Sequence, residues 1–335
     1  MHWKKIVYFT FIVFFSLFSG LQAQNSSAAK ELIQPPYLKA GDTVAIVAPS
    51  GILRNRKEVI NKAVALLKSW KLHVVLGKNL YKQNGHFAGT DTERASDFQK
   101  ALDDPKIKAI WCARGGYGSV RILDKLNYTK FKKKPKWVVG YSDITGLHNQ
   151  IHNQGVASIH SIMCSSLGSA KEKIKKAIET FRCALFGEQL KYSITPSKYN
   201  KTGNTTGPII GGNLTLLHTM LGSKTSIDTS GKILFIEELG EYAYHIDRML
   251  QSLKRAGYFE NCNGIIVGDI IKVRKNTTPF GRTVQQIILD AVAEYNFPVL
   301  FNFPAGHLDD NRALILGRTI QLKVSKESSS VIFSK

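Results

Sequence analysis

"DTVAIVAPSG", residues 42–51, is an unbroken apolar run from Val44 to Ala48 closed by a turn. A strand with one wet face alternates apolar and polar residues, so a continuous run points to a strand covered on both faces, as in a parallel sheet. The segment after it turns helical. In residues 56–70 the apolar Val59, Ile60, Ala63, Leu66, Leu67 and Trp70 recur at helical spacing, and "LHVVLG" then reads as a second strand. This is the start of a βαβ series. It continues through "DTERASDFQKALDD", an amphipathic helix with Asp91 or Thr92 as its expected cap, into the strand "IKAIWCARGGYG", and then through "WVVGYSDITGLHNQIHNQG". Strands alternating with helices predict an open, mostly parallel α/β sheet flanked by helices, with ligand chemistry beyond the strand C-termini.

At 335 residues the chain is long enough for two domains of ordinary size. The first domain is expected over residues 36–186. The stretch "EQLKYSITPSKYNKTGNTTG" is polar and rich in Ser, Thr, Asn and Lys, and residues 187–207 are read as the connection. Residues 208–335, with strand candidates "GKILFIEE", "GIIVGDII" and "RTIQLKV" and two helical segments, are expected to form a smaller C-terminal α/β domain.

Residues 1–23 stand apart from this pattern. Lys4 and Lys5 precede an apolar run from Ile6 to about Phe18, followed by Leu21-Gln22-Ala23, the arrangement of a secretory signal peptide. The run is short for a spanning helix, which needs about 20 apolar residues. An exported, periplasmic protein with no stable membrane span is therefore expected. Removing Lys4 and Lys5 takes the formal charge from +21 to +19, so the basic surface belongs to the mature chain and favours anionic partners. The dense run "KFKKKPKW", Lys130 to Trp137, reads as a solvated loop rather than a nucleic-acid patch. Cys112, Cys164, Cys183 and Cys262 lie far apart with no CxxC spacing, which argues against a zinc site and leaves their redox state open.

Ser142 in "WVVGYSDITGLHN" stands where a strand turns into a helix. Such a corner can expose a hydroxyl while the next backbone N–H points into the same space. "GYSD" is not the G-x-S-x-G pattern, and on this segment alone the reading leans to an ordinary serine task, capping the helix that begins near Asp143. A serine nucleophile needs a base. Of the nine histidines, His307 in "FNFPAGHLDDNRALILG" lies where Pro304 and Gly306 bend the chain after an apolar run, a place from which an imidazole can enter a cleft or make a structural hydrogen bond. A carboxylate to orient it could come from "ILFIEELGEYAYHIDR". Glu237 and Glu238 end the strand, on opposite sides under period-two alternation, and the alternative for both is a solvated acidic turn. The glycines of "ARGGYGSVR" offer bare backbone suited to donating N–H groups to an anion or to making a tight turn. They lack the spacing of nucleotide-binding loops.

Taken in order, "VAIVAPSG", "ASDFQKALDDPKIKAIWCARGGYGSVRILDKL", "VVGYSDITGLHN", "GGNLTLL", "LFIEELGEYAYHIDRML" and "FPAGHLDDNRALILG" resemble the LD-carboxypeptidases of peptidoglycan recycling, a family that includes the microcin-C immunity carboxypeptidases. The resemblance implies a Ser-His-Glu serine peptidase, with Ser142 as nucleophile, His307 as base and Glu237 as its partner. It places the oxyanion donors at the backbone N–H groups of Gly116 and Asp143, with the site at an interdomain cleft. It implies removal of the terminal D-alanine from a murein tetrapeptide, without metal or organic cofactor, in a chain for which a homodimer is one assembly left open; export argues against a nucleic-acid partner. Two features depart from the pattern. Such enzymes typically act in the cytoplasm, whereas this sequence carries an export signal, and His160-Ser161-Ile162 replaces the His-Gly-Pro often found in relatives.

Overall fold

The computed structural model describes residues 32–53, 57–275 and 277–334; the expected signal peptide lies outside them. Two sheets organise the chain, with strands numbered in chain order. In the first, β1 (Thr43–Val47), β2 (His73–Leu76), β3 (Ile107–Cys112), β4 (Trp137–Gly140) and β5 (Ser158–His160) run parallel in the order 2-1-3-4-5. The chain thus leaves β1 in both directions, the arrangement that opens a crevice beyond the strand C-termini. Helices α1 (Lys57–Ser69), α2 (Asp91–Asp103), α3 (Thr129–Lys133), α4 (Thr145–Asn153) and α5 (Lys171–Phe186) follow the strands. The expectation of an open, mostly parallel sheet flanked by helices holds.

The continuous apolar runs behave as their composition requires. Val44, Ile46, Ala109, Trp111, Trp137 and Val139 pack on one face of the sheet, and Ala45, Val47, Ile110, Cys112 and Val138 on the other. Helix α2 differs from expectation at its start. Thr90 is the cap: its hydroxyl accepts the Glu93 N–H at 3.2 Å, and the Glu93 carboxylate accepts the Thr90 N–H at 2.9 Å. Asp91 is one residue inside the helix, where its carboxylate meets Arg94 and Arg121 instead.

The second sheet joins β6 (Lys191–Ile194), β7 (Gly203–Asn213), β8 (Ile233–Leu239), β9 (Gly264–Ile271), β10 (Val299–Leu300), β12 (Thr319–Val324) and β13 (Ser329–Phe333). Strands β7 to β10 are parallel; β12, β13 and β6 continue the sheet antiparallel. The polar stretch expected to connect the two parts therefore contributes β6 and the first residues of β7. Helices α6 (Leu214–Thr219), α7 (Ala243–Arg255) and α8 (Val284–Ala291) cover one face through Leu214, Leu217, Ile246, Leu250, Leu253, Ile287 and Ile288. The other face shares a core with the first sheet, in which Ile209, Ile233, Phe235 and Phe303 join Trp111, Trp137 and Ile159. One further strand, β11 (Leu314–Leu316), leaves the second part of the chain and pairs antiparallel with β5 at the edge of the first sheet. Residues 301–313 therefore cross from one sheet to the other, and His307 rides on that crossing.

Among the described residues no helix is long and apolar enough to cross a membrane. All four cysteines are free thiols, and Cys112, Cys164 and Cys262 are buried.

Candidate active site

At the end of β4 the chain runs extended through Tyr141 and then places Ser142 at φ +62°, in the left-handed region. A non-glycine residue held there costs on the order of 1–3 kcal/mol, and the corner keeps it because the surroundings leave no alternative. A short 3-10 turn, Ser142–Ile144, leads into α4. Ser142 is the first residue of this turn, whose cap position is Tyr141, and α4 is capped at Ile144; the Ser142 hydroxyl is directed to His307 instead, so the capping alternative falls away.

Two buried side chains fix the corner. His148 lies with Nε2 2.9 Å from the Gly140 carbonyl and Nδ1 2.8 Å from the Ser158 hydroxyl, and burial pushes its pKa down to about 4. The neutral ring thus donates from Nε2 to Gly140 and accepts from Ser158 at Nδ1. The Asp143 carboxylate accepts the Ser50 hydroxyl at 2.6 Å and the Ser119 N–H at 2.8 Å, and the Asp143 carbonyl accepts the Ser119 hydroxyl at 2.6 Å. One carboxylate therefore ties together the turn after β1, the glycine loop after β3 and the corner after β4. The sequence points only to the backbone N–H of Asp143, because nothing local to "YSD" reports partners that lie dozens of residues away.

Glu237 and Glu238, adjacent near the end of β8, are both buried and point to opposite sides, as alternation requires. Glu238 is occupied structurally: its carboxylate accepts the Thr215 N–H at 2.7 Å, the Thr215 hydroxyl at 2.8 Å and the Leu239 N–H at 2.7 Å. Glu237 turns the other way, and its Oε2 lies 2.6 Å from His307 Nδ1. His307 Nε2 in turn lies 3.0 Å from Ser142 Oγ. The three residues singled out in the sequence are thus in one hydrogen-bonded row, with Ser142 from the first sheet, Glu237 from the second and His307 from the segment between them. Burial alone would lower the pKa of His307. The hydrogen bond and charge of Glu237 outweigh it, aided by Glu238 and Asp269, and hold the imidazole above its ordinary value.

The row borders a cleft of about 350 Å³ lined by Arg114, Gly116, Tyr141, Leu216 and Glu241 among others. Gly116 therefore faces the same space as Ser142, while Arg114 Nη1 donates to the Ile52 carbonyl at 2.6 Å. The ring of Tyr141 meets the His307 ring edge-on at 5.2 Å. His160, where the sequence departs from the His-Gly-Pro pattern, is fully buried, and its ring packs against Tyr141 and Phe235. Burial drives its pKa well below the usual value, so this ring is neutral.

Residues 44–161 match the LD-carboxypeptidase N-terminal domain and residues 206–322 the LD-carboxypeptidase C-terminal domain. The chain belongs to the LD-carboxypeptidase family. It is accordingly a serine-type carboxypeptidase, a hydrolase. It is 34% identical over 306 residues to the "Probable murein peptide carboxypeptidase" of Bacillus subtilis (strain 168), covering 89% of this chain and 94% of that protein. Its fold superposes with a TM-score of 0.78 on the crystal structure of muramoyltetrapeptide carboxypeptidase from Oxalobacter formigenes, at 26% identity over 88% of this chain and 99% of that one. A TM-score of 0.78 also relates it to the MccF-like protein from Bacillus anthracis str. Ames, at 25% identity over 90% of this chain and all of that one. The two-sheet architecture is that of these structures.

Proposed function

We propose that this carboxypeptidase removes the terminal D-alanine from murein tetrapeptides by hydrolysing the L–D peptide bond, with Ser142 as nucleophile, His307 as general base and Glu237 as the group that orients it. The observation that carries the reading is the continuous row Ser142 Oγ, His307 Nε2 and Nδ1, Glu237 Oε2, at 3.0 and 2.6 Å. With Glu237 accepting the Nδ1 proton, the Nε2 lone pair faces the Ser142 hydroxyl, which is the tautomer a general base needs. His307 takes the Ser142 proton as Oγ attacks the scissile carbonyl, and then gives that proton to the departing amine of D-alanine. Water, activated in the same way, releases the tripeptide from Ser142.

The oxyanion of the tetrahedral intermediate is held by the backbone N–H groups of Asp143 and Gly116. The first belongs to the turn that carries Ser142, and the second to the loop across the cleft. Losing one such donor costs about 3 kcal/mol at comparable sites. The positive net charge favours the encounter with acidic muropeptides. The signal-peptide pattern of residues 1–23 supports action outside the cytoplasm, on exported muropeptides or on the wall.

The test is mass spectrometry of a disaccharide tetrapeptide incubated with the chain lacking residues 1–23, beside Ser142→Ala. Tripeptide from the first and none from the second is the expected result. Intact tetrapeptide from both folded proteins would overturn the murein reading and move the search to the peptide–nucleotide antibiotics cleaved by the immunity branch of the family.

A further inference from the structure

The row of three residues depends on a loop that has no secondary structure of its own. Residues 304–312 are closed by the Arg312 N–H on the Pro304 carbonyl at 2.8 Å and by the Gly306 N–H on Asn311 Oδ1 at 3.0 Å. What fixes the loop against the second sheet is Asp269 of β9. Its N–H donates to the Ala305 carbonyl at 2.9 Å, and its Oδ2 accepts the Leu308 N–H at 3.0 Å, so one residue holds the chain on both sides of His307.

Asp269 reaches this position through a fault in the sheet. The β8–β9 register pairs Ile236 with Val267 but Glu238 with Ile270, so Gly268 and Asp269 together face Glu237. That is a β-bulge, which re-aims the side chain of the extra residue, and it sits opposite the carboxylate that binds His307. The fit is close: a Cβ on Gly306 would come within 2.9 Å of Asp269 Cβ and 3.2 Å of Glu237 Cβ, at a φ of +137°. Glycine is required there, and His307, Glu237 and Asp269 share one packed unit.

We propose that Asp269 is a positioning residue for the reaction, holding the His307 imidazole in line with Ser142 through the Leu308 N–H and adding a negative charge beside the imidazolium. The proposal rests on the reading of His307 as base. The charged groups facing Asp269 are Glu237 from β8 and His307 and Asp310 from the loop. Those facing His307 are Glu237 and Glu238 from β8 and Asp269 from β9, with the uncharged Tyr141 ring and the neutral His160 of β5 on the side of the first sheet. Burial pushes the Asp269 carboxyl up to about 6, with Glu237 and Asp310 adding to the rise and the Leu308 N–H and His307 opposing it. It is therefore charged over the range in which His307 must be neutral to act.

The two parts of the role separate in two variants of the full chain. Asp269→Asn keeps an acceptor for Leu308 but loses the charge; Asp269→Ala loses both. The His307 pKa, followed by NMR of its ring signals without substrate, is expected to fall in both variants by about half a unit or more. In D-alanine release, Asp269→Ala is expected to lower kcat at least tenfold with KM within about twofold, and Asp269→Asn to recover part of that loss. A wild-type His307 titration in both variants, or wild-type kcat in Asp269→Ala, overturns the proposal. If Asp269→Ala does not fold, the titration of Asp269→Asn decides alone. If the wild type releases no D-alanine, the substrate reading falls, while the shift or constancy of the His307 titration still upholds or overturns the role of Asp269.

Discussion

Thr145, three residues beyond Ser142, accepts the backbone N–H of Asn213 through its hydroxyl at 3.0 Å. The bond runs from the start of α4, behind the first sheet, to the last residue of β7 in the second. The serine comes from one sheet and the glutamate from the other, so their separation is set by contacts of this kind rather than by either sheet alone. A misplacement of about 1 Å between reacting groups can cost about a hundredfold in rate.

Gly212 tests this contact. A Cβ at this position would stand 2.5 Å from Thr145 Oγ1, at a φ of +145°. Gly212→Ala must therefore push α4 and β7 apart or break the Thr145–Asn213 bond. Overpacking of this kind costs about 1–3 kcal/mol, and the loss of activity is expected to exceed what the loss of folded protein explains. Denaturant melts paired with rates per folded molecule measure the two separately. Equal melts and equal rates for Gly212→Ala and wild type would show that this contact does not set the geometry.

The corner at Ser142 carries backbone strain that only glycine escapes. Ser142→Ala keeps the φ of +62° and its strain, whereas Ser142→Gly relieves it, so the glycine variant is expected to be more stable than the alanine variant by about 1 kcal/mol while both are inactive. Thermal melts of the two proteins check this. An alanine variant as stable as the glycine variant would mean that the corner relaxes once the hydroxyl is gone.

Much of the first sheet is legible in the sequence because its strands are covered on both faces, so "VAIVA" and "WVV" are apolar throughout and need no partner to be recognised. Period-two alternation is enough to send Glu237 and Glu238 to opposite sides. What escapes depends on pairing between distant segments. Leu314–Leu316 looks like any short apolar run until β5 supplies its edge, and "KYSI" sits in a stretch whose composition suggests a connection. The Asp143 clamp, the Thr145–Asn213 bond and the bulge at Asp269 belong to register and to contacts between sheets, which no local periodicity encodes. The α2 cap is Thr90 rather than Asp91 or Thr92, an offset of a residue or two that Glu93, three positions after Thr90, is enough to correct.

The adjacent glutamates should fail in different ways. Glu238→Gln keeps the size of the side chain but sets an amide N–H against donors from Thr215 and Leu239, where the carboxylate accepted all of them. A buried donor left unmet costs about 1–3 kcal/mol, so the expected result is a lower melt with kcat per folded molecule little changed. Glu237→Gln is expected to do the reverse, with a near-normal melt at a pH above the raised His307 pKa and kcat reduced by a hundredfold or more, on the order of the loss when a triad carboxylate is neutralised. If Glu238→Gln lost as much activity per folded molecule as Glu237→Gln, the division between a structural and an orienting carboxylate would be wrong.

The pH profile follows from the sign of the His307 shift. As base His307 must be neutral, so kcat/KM is expected to fall as pH drops through its raised pKa, placing the acid limb above about 6.5, the ordinary imidazole value. Glu237→Gln removes the charge that holds the imidazolium, and its residual activity should show the limb moved to lower pH. Stability runs in the opposite sense. A group whose folded pKa is raised contributes stability that is fully present below its unfolded value, so the His307–Glu237 pair stabilises the fold below about 6.5, and this contribution is lost as pH rises through the folded pKa. Melts of Ser142→Ala and of the Ser142→Ala/Glu237→Gln double variant, compared from about pH 5.5 to about pH 9, isolate it, since neither protein turns over and only one keeps the charge. The gap between them should narrow as pH rises. A gap that stays constant, or widens toward high pH, would mean that His307 is not held above its ordinary value and that the acid limb of activity belongs to another group.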